Sequence, residues 1–261
     1  MASVPTPPTQ PWHGYVPPRD RLSERVILIT GATAGIGRAV AADLIRHGAT
    51  VILHGRNERR LEQTYQAMKE LGAEPSCAVL DLERAQGDDY QQLVESIEAR
   101  YGRLDGLVHN AAILGDRSPV EHYDIATWQR VIHLNLNTTF ILTRCLLPLL
   151  RRSDAGSIVF TTSTVGHVGK AYWGAYAASK FGVEGLAQVL ADELENTSIR
   201  VNYINPGATR TSMRRKAYPA EDPATISDPA TITVPYLFLL GPDGRELHGR
   251  YLECQSQASS G

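Results

Sequence analysis

The sequence predicts one α/β domain, built as a doubly wound parallel sheet of about seven strands with helices on both faces. Short β-branched runs alternate along the chain with helix-length amphipathic segments. Strands that are separated by helices are joined by crossovers and therefore lie parallel in a sheet. Several strand runs, such as 26–29 (Val-Ile-Leu-Ile), are apolar at successive positions, as expected when helices cover both faces.

Each strand is identified by an apolar, β-branched run, and each helix by apolar residues at helical spacing. In chain order we predict strand 26–30, helix 37–47, strand 50–54, helix 58–71, strand 74–80, helix 90–101, strand 106–109, a long helix from about 127 to 151, strand 156–161, helix 176–195, strand 200–205, a loop at 207–228, a helix near 229–240 and strand 251–255. This order is typical of a Rossmann-type fold.

The first 20 residues are rich in proline, which fixes φ and removes a backbone donor. We therefore predict two segments: a proline-rich, extended N-terminal arm at 1–20 and the α/β domain at 21–261. The arm has no apolar stretch of the kind a signal peptide requires, so a cytoplasmic location is the default expectation.

The composition excludes several classes of protein. The chain has 43% hydrophobic and 21% charged residues, as ordinary globular proteins do, and no apolar run is long enough to cross a bilayer. A net charge of −2 offers no general attraction for nucleic acid or anionic lipid. Neither a nucleic acid nor a membrane is expected as a partner.

Cysteine and histidine usage predicts neither disulfides nor a metal site. The three cysteines, Cys77, Cys145 and Cys254, lie far apart and are interpreted as small buried apolar residues. His54, His109, His133 and His167 are scattered, with no carboxylate or cysteine at metal-ligand spacing. We expect no metal.

A glycine-rich segment follows the first predicted strand and opens the first helix. It reads Thr30-Gly31-Ala-Thr33-Ala-Gly35-Ile36-Gly37. Gly31 allows a tight turn, Gly35 lets the backbone approach a pyrophosphate, and Gly37 allows close helix packing, while the helix N-terminus offers free N–H groups. The segment predicts a dinucleotide site that includes Thr33 and Ile36.

The end of the second strand indicates which nicotinamide cofactor binds. NAD-binding folds usually carry a carboxylate here to hold the ribose 2′-OH, whereas this chain has His54-Gly-Arg56-Asn57. Arg56 can offer a planar set of donors to a 2′-phosphate, with Asn57 beside it and Arg38 able to assist. The alternative is a solvated loop arginine. We predict NADP(H).

Tyr176 and Lys180 place two proton-active groups one helical turn apart. Acid/base work near neutrality requires a tyrosine pKa about 2 to 3 units below its usual value, and an adjacent ammonium together with an oxidised nicotinamide can supply that shift. Ser163 follows a predicted strand, where its hydroxyl can hydrogen-bond a substrate oxygen. Taken alone, such a serine is usually a turn or capping residue.

Together these motifs resemble the short-chain dehydrogenase/reductase family over about residues 21–255. The motifs are the glycine segment, Asn110-Ala-Ala, a serine thirteen residues before the tyrosine, Tyr-xxx-Lys, and Pro206-Gly207-xxx-Thr211. More narrowly, the chain resembles a bacterial branch of NADP-dependent oxidoreductases. The one departure is Ala112, where many members have glycine, and we expect the added methyl to be tolerated.

The resemblance implies further roles. Asn135 matches the fourth catalytic position, which holds a water that links Lys180 to solvent. Asp81 and Leu82 match the adenine-binding position, Asn110 the position beside the adenosine ribose, and Pro206, Gly207, Thr209 and Thr211 the segment that orients the nicotinamide carboxamide. Tyr176 and Lys180 also contact the cofactor, since Lys180 anchors the nicotinamide ribose. A homodimer or homotetramer through two long central helices is implied.

Two segments are candidates for the border of the substrate pocket. The proline-containing segment at 211–228 is expected to form a compact lid, and it includes the basic run 213–216, which indicates either an acidic substrate or a solvated surface. Trp173 either borders the pocket or packs in the core.

The predicted function is NADP(H)-dependent oxidoreduction at a carbonyl or alcohol carbon of a small molecule. Two alternatives remain: a non-catalytic NADP(H)-binding regulator or scaffold, and reduction of an activated carbon–carbon double bond or an imine. The sequence does not specify the substrate, the physiological direction, the choice between dimer and tetramer, or the role of the arm.

Overall fold

A computed structural model describes residues 10–255, and within them seven parallel strands form one sheet. The strands are β1 (Val26–Ile29), β2 (Thr50–Gly55), β3 (Ser76–Val79), β4 (Gly106–His109), β5 (Ser157–Thr161), β6 (Arg200–Asn205) and β7 (Arg250–Glu253). Their order across the sheet is β3-β2-β1-β4-β5-β6-β7. The predicted doubly wound fold is confirmed.

Helices flank the sheet along the described chain. They are α1 (Gly35–Arg46), α2 (Glu58–Lys69), α3 (Gly87–Tyr101), α4 (Ile125–Ile132), α5 (Thr138–Leu150), α6 (Gly174–Leu194), α7 (Ser212–Ala217) and α8 (Val234–Leu240). The chain winds outward from β1 to β3 and then returns to place β4 on the other side of β1. A ligand crevice is expected at this reversal, outside the carboxyl ends of β1 and β4.

Two hydrophobic layers hold the sheet between the helices. Ile27 and Ile29 of β1 pack with α1, α2 and α8, whereas Val26 and Leu28 pack with α3, α5 and α6. Successive side chains of a strand point to opposite faces, so an uninterrupted apolar run serves both layers. This explains why polar and apolar residues do not alternate along these strands.

The structure corrects the prediction for two segments. The helix expected from about 127 to 151 is divided into α4 and α5 by a π-helical turn at His133–Asn137. The loop expected at 207–228 contains the short helix α7, which Thr211 caps by accepting a hydrogen bond from the Arg214 N–H. Both features depend on local hydrogen bonds that hydrophobic periodicity does not report.

The cysteines also differ from the prediction. Cys77 is exposed on the edge strand β3, and Cys145 and Cys254 are half-buried. An edge strand is covered on one side only, so an apolar run there does not ensure burial.

Part of the proline-rich segment packs against the domain. Residues 1–9 lie outside the described residues, but Trp12 is 7% exposed and meets Phe238 of α8 edge-on, with ring centroids 6.3 Å apart. Tyr15 packs on the same ring and donates a hydrogen bond to Asp243. Residues 10–15 are largely turns rather than extended chain.

We expect Trp12→Ala to lower the free energy of unfolding by about 3 kcal/mol, because it removes a large buried aromatic side chain. Urea denaturation monitored by circular dichroism measures this change. Val16→Ala is the control, since Val16 is 84% exposed. Equal stabilities of the two variants would mean that the Trp12 contact contributes nothing to the fold.

Candidate active site

A cleft of about 300 Å³ opens at the carboxyl ends of β1 and β4, where the strand order reverses. Its walls include many of the predicted site residues, namely Gly31, Thr33, Gly35, Ile36, Arg56, Asp81, Leu82, Asn110, Tyr176, Lys180, Pro206 and Thr211. The walls also include Ile113 and Leu134, which the sequence interpretation did not single out, and Met213 of the basic run.

The glycine segment is shaped to admit a phosphate. Gly31 and Gly35 have φ values of +68° and +52°, in the left-handed region that favours glycine. Helix α1 begins at Gly35 with no side-chain cap on its free N–H groups and no acidic residue in its first turn. These N–H groups can therefore bind an anion. The site fits a dinucleotide pyrophosphate.

Asn110 joins the glycine turn to β4. Its Nδ2 donates to the Thr30 carbonyl oxygen at 3.0 Å, and its backbone N–H donates to Thr30 Oγ1 at 2.9 Å. Gly37 packs so closely on this pair that an added Cβ would lie 2.5 Å from Asn110 Nδ2. The turn after β1 is thus tied to the end of β4.

Arg56 also lines the cleft, and about half of its side chain is exposed. Its Nη1 lies 3.3 Å from Glu83 Oε2, and Arg130 of α4 binds the same carboxylate through Nε at 2.6 Å. Arg130 and Arg56 hold the pKa of Glu83 below its usual value. Glu83 and Arg130 were missed because they are far apart in sequence.

Four predicted cofactor residues do not line the cleft in this structure: Gly37, which packs on the glycine turn, and three others. Asn57 caps α2, with Oδ1 accepting from the Arg60 N–H at 2.9 Å. Thr209 is buried, and its hydroxyl donates to the carbonyl oxygens of Pro206 and Gly207. Gly207 is exposed with φ +72° and lies against Gln255.

Tyr176 and Lys180 line the cleft, and Ser163 does not line it but contacts Tyr176. Tyr176 and Lys180 lie one turn apart on α6, and both are buried. The Ser163 hydroxyl follows β5 and hydrogen-bonds to Tyr176. Lys180 Nζ donates to the Thr161 carbonyl oxygen at 2.7 Å and lies 5.7 Å from the Tyr176 ring centroid. A substrate oxygen placed here meets two hydroxyl groups and a cation.

Burial governs the pKa of Tyr176 in the protein without cofactor. Burial raises the pKa of Tyr176 to about 12, and the hydrogen bond from Ser163 offsets only part of this rise. Burial also lowers the pKa of Lys180 to about 8. In the protein without cofactor, loss of hydration disfavours the phenolate, so the lowering expected from Lys180 together with an oxidised nicotinamide stays a prediction for the cofactor complex. A neutral phenol is nevertheless the form that donates a proton.

Asn135 lies in the π-helical turn between α4 and α5. Its Oδ1 accepts from the Ile113 N–H at 2.9 Å, and its Nδ2 donates to the Ile113 carbonyl oxygen and to Ser179 Oγ. The carboxamide therefore joins the turn to the Asn110 loop and to α6. π-helical turns inside α-helices are frequent at functional sites, in agreement with the place of Asn135 beside α6.

An apolar cluster surrounds the outer side of Tyr176. Its members are Leu114, Val165, Trp173, Ala177, Met213, Ala217 and Tyr218. Trp173 is 6% exposed, with its ring centroid 5.8 Å from that of Tyr176. Of the basic run, Arg214 pairs with Glu221, while Arg215 and Lys216 are exposed.

Residues 10–255 contain no helix long and apolar enough to span a membrane. Over the same residues, no cluster of three or more His, Cys, Asp or Glu side chains could hold a metal ion.

Comparisons with known proteins show which family the chain resembles over most of its length. The sequence profile of the short chain dehydrogenase family matches residues 25–222. Oxidoreductase YciK of Escherichia coli K12 is 50% identical over 242 residues, covering 92% of this chain and 96% of that protein. A short chain dehydrogenase of Shigella flexneri 2a, solved with NADP, is 50% identical with a TM-score of 0.90, covering 92% of this chain and all of the other. One from Escherichia coli CFT073, solved with NADPH, has 51% identity, the same TM-score and the same coverage.

Proposed function

The chain belongs to the short-chain dehydrogenase family, and we propose that it is an NADP(H)-dependent oxidoreductase that transfers a hydride between the nicotinamide and a carbonyl or alcohol carbon of a small molecule. The observation that carries this proposal is that Tyr176 and Lys180 line the same cleft as the glycine turn, while Ser163 hydrogen-bonds to Tyr176. NADPH supplies the hydride when bound.

The protein's own groups act on the substrate oxygen. In the reducing direction Tyr176 donates a proton to the oxygen, and Ser163 polarises it through a hydrogen bond as negative charge develops. Lys180 anchors the nicotinamide ribose and supplies positive charge near Tyr176. Asn135, which joins α6 to the Asn110 loop, would hold the water that links Lys180 to solvent.

An NADPH-oxidation screen across ketones, aldehydes, quinones and keto-acids tests this function. We expect turnover with at least one carbonyl class. Activity on enones but not on ketones would support reduction of carbon–carbon double bonds instead. NADPH binding without turnover on any carbonyl would support a cofactor-binding regulator.

We expect Arg56→Asp to weaken NADPH binding by about 100-fold and NADH binding by no more than about threefold, because only NADPH carries the 2′-phosphate that a guanidinium can bind. Fluorescence titration of each reduced cofactor measures both dissociation constants. Arg100→Asp on α3 is the control, since Arg100 is exposed and lies outside the cleft. Equal losses for the two cofactors would point to another 2′-phosphate ligand, with Arg130 the first candidate.

A homo-oligomer acting in the cytoplasm also forms part of the proposal. Helices α5 and α6 carry the exposed apolar side chains Phe140, Phe181 and Val189, which an interface between two copies would cover. The three cysteines form no disulfide, as is typical of a reducing compartment.

A further inference from the structure

Glu184 is a buried carboxylate on α6, one turn after Lys180, and the mechanism above does not use it. The residue is 4% exposed. Its two oxygens bind different partners: Thr162 Oγ1 donates to Oε1 at 2.7 Å, and His167 Nδ1 lies 3.1 Å from Oε2. Burying a carboxylate is costly unless it is paired and hydrogen-bonded, so this arrangement requires an explanation.

The two partners of Glu184 flank Ser163 in sequence. Thr162 directly precedes Ser163, and His167 follows it by four residues. The turn between them packs tightly on α6. A Cβ added to Gly166 would lie only 2.7 Å from the Lys180 Cβ. One carboxylate therefore holds both ends of the Ser163 turn against the helix that carries Tyr176 and Lys180.

Glu184 and Lys180 are both buried and lie one turn apart on α6. Burial lowers the pKa of Lys180, and the negative charge of Glu184 acts in the opposite direction by raising it. A buried ammonium needs such a counter-charge to remain protonated.

Other titratable groups surround the pair. The His167 ring stacks on Tyr251 of β7 at 4.9 Å, and the Tyr251 hydroxyl donates to Glu253. On the sheet side, Lys180 acts on buried His109, whose pKa is lowered to about 3 mainly by burial. His109 is thus neutral near pH 7, and Glu184 is the acid with a direct charge effect on Lys180.

We propose that Glu184 is a positioning residue of the active site: its carboxylate clamps the Ser163 turn onto α6 and provides the counter-charge for Lys180. This inference rests on the proposed function, because it assigns Glu184 a role in the same proton transfer. The clamp and the counter-charge are separable by substitution, since glutamine keeps the shape and a hydrogen-bond acceptor but removes the charge.

The sign of the expected pH effect follows from the charge. A nearby negative charge raises the pKa of an acid/base group, so Glu184→Gln lowers the pKa of the coupled Tyr176 and Lys180 pair. Carbonyl reduction needs Tyr176 protonated and Lys180 charged, and its rate is lost as the pH rises through that pKa. We expect the alkaline limb of the kcat profile to move about one pH unit lower in Glu184→Gln.

Two further variants separate the two roles, and a third serves as the control. Glu184→Ala removes both the clamp and the charge, so it should show the same shift and also about a tenfold lower kcat at its optimum, because Ser163 is no longer held in place. Glu184→Asp keeps the charge and should restore the wild-type pH limb. Glu193→Gln is the matched control, with the same change at an exposed position on the same helix, and should leave the profile unchanged.

A second measurement does not require a substrate. In the NADP⁺ complex, the phenolate absorbance of wild type minus that of Tyr176→Phe reports the titration of Tyr176. We expect its midpoint to fall by about one pH unit when both proteins also carry Glu184→Gln. An unchanged midpoint, or an equal fall caused by Glu193→Gln, would overturn the proposal. If no carbonyl is reduced by wild type, the proposed function fails while this titration still decides the role of Glu184.

Discussion

Tyr176→Phe is expected to lower kcat for carbonyl reduction by about 10³-fold, within the range that general acid catalysis contributes. The substitution removes only the hydroxyl that meets Ser163, while the ring keeps its packing against Trp173. We therefore expect the dissociation constant for NADPH to change by less than about twofold, because the protein loses no packing around the cofactor cleft. Steady-state NADPH oxidation and fluorescence titration measure the two quantities.

Tyr65→Phe provides the matched control for this prediction. Tyr65 packs on the far hydrophobic layer and lines no part of the cleft, so loss of its hydroxyl should leave kcat unchanged. If Tyr176→Phe retained more than about a tenth of the wild-type kcat, proton donation by Tyr176 would contribute less than general acid catalysis ordinarily does.

Gly37→Ala is expected to damage both stability and cofactor binding. The added Cβ would lie 2.5 Å from Asn110 Nδ2 and even closer to the Gly31 carbonyl oxygen, a backbone atom that cannot rotate away. We expect the free energy of unfolding to fall by about 3 kcal/mol, as for overpacking in a tightly packed core. The glycine turn must move to relieve the clash, so NADPH affinity should fall by about 100-fold or more.

Gly87→Ala is the control for Gly37→Ala. Gly87 opens α3, and a Cβ added there would meet no atom within 4 Å. Because alanine is the better helix former, this change should be neutral or stabilising by up to about 1 kcal/mol. Urea denaturation and NADPH titration of both variants complete the test. A Gly37→Ala protein with wild-type stability and affinity would show that the turn and α1 separate easily.

Local patterns predicted most of the fold. Apolar runs marked all seven strands, and their ends agree with the structure within about two residues, as expected for signals read from periodicity. The same patterns missed the π turn at His133–Asn137 and the helix α7, because hydrogen bonds of single residues determine those features. Burial of the cysteines was also misjudged, since Cys77 lies on an edge strand.

The cofactor and proton-transfer motifs depend on short spacings, which is why the sequence alone determined them. The glycine turn, the absence of a carboxylate after β2 and the one-turn separation of Tyr176 and Lys180 are all properties of neighbouring residues. The role of Asn135, by contrast, came only from the family resemblance, which also favoured a catalytic role for Ser163 over that of an ordinary turn or capping residue.

Only the tertiary structure decided which residues, distant in sequence, form ion pairs or hydrogen bonds with one another. Glu83 lies between Arg56 and Arg130, and Glu184 binds Thr162 and His167 from a different element. It also showed that burial raises the Tyr176 pKa. The physical reason is that hydration and electrostatic pairing depend on which surfaces meet after the sheet has formed, whereas turn geometry and helical spacing are already present in the local chain.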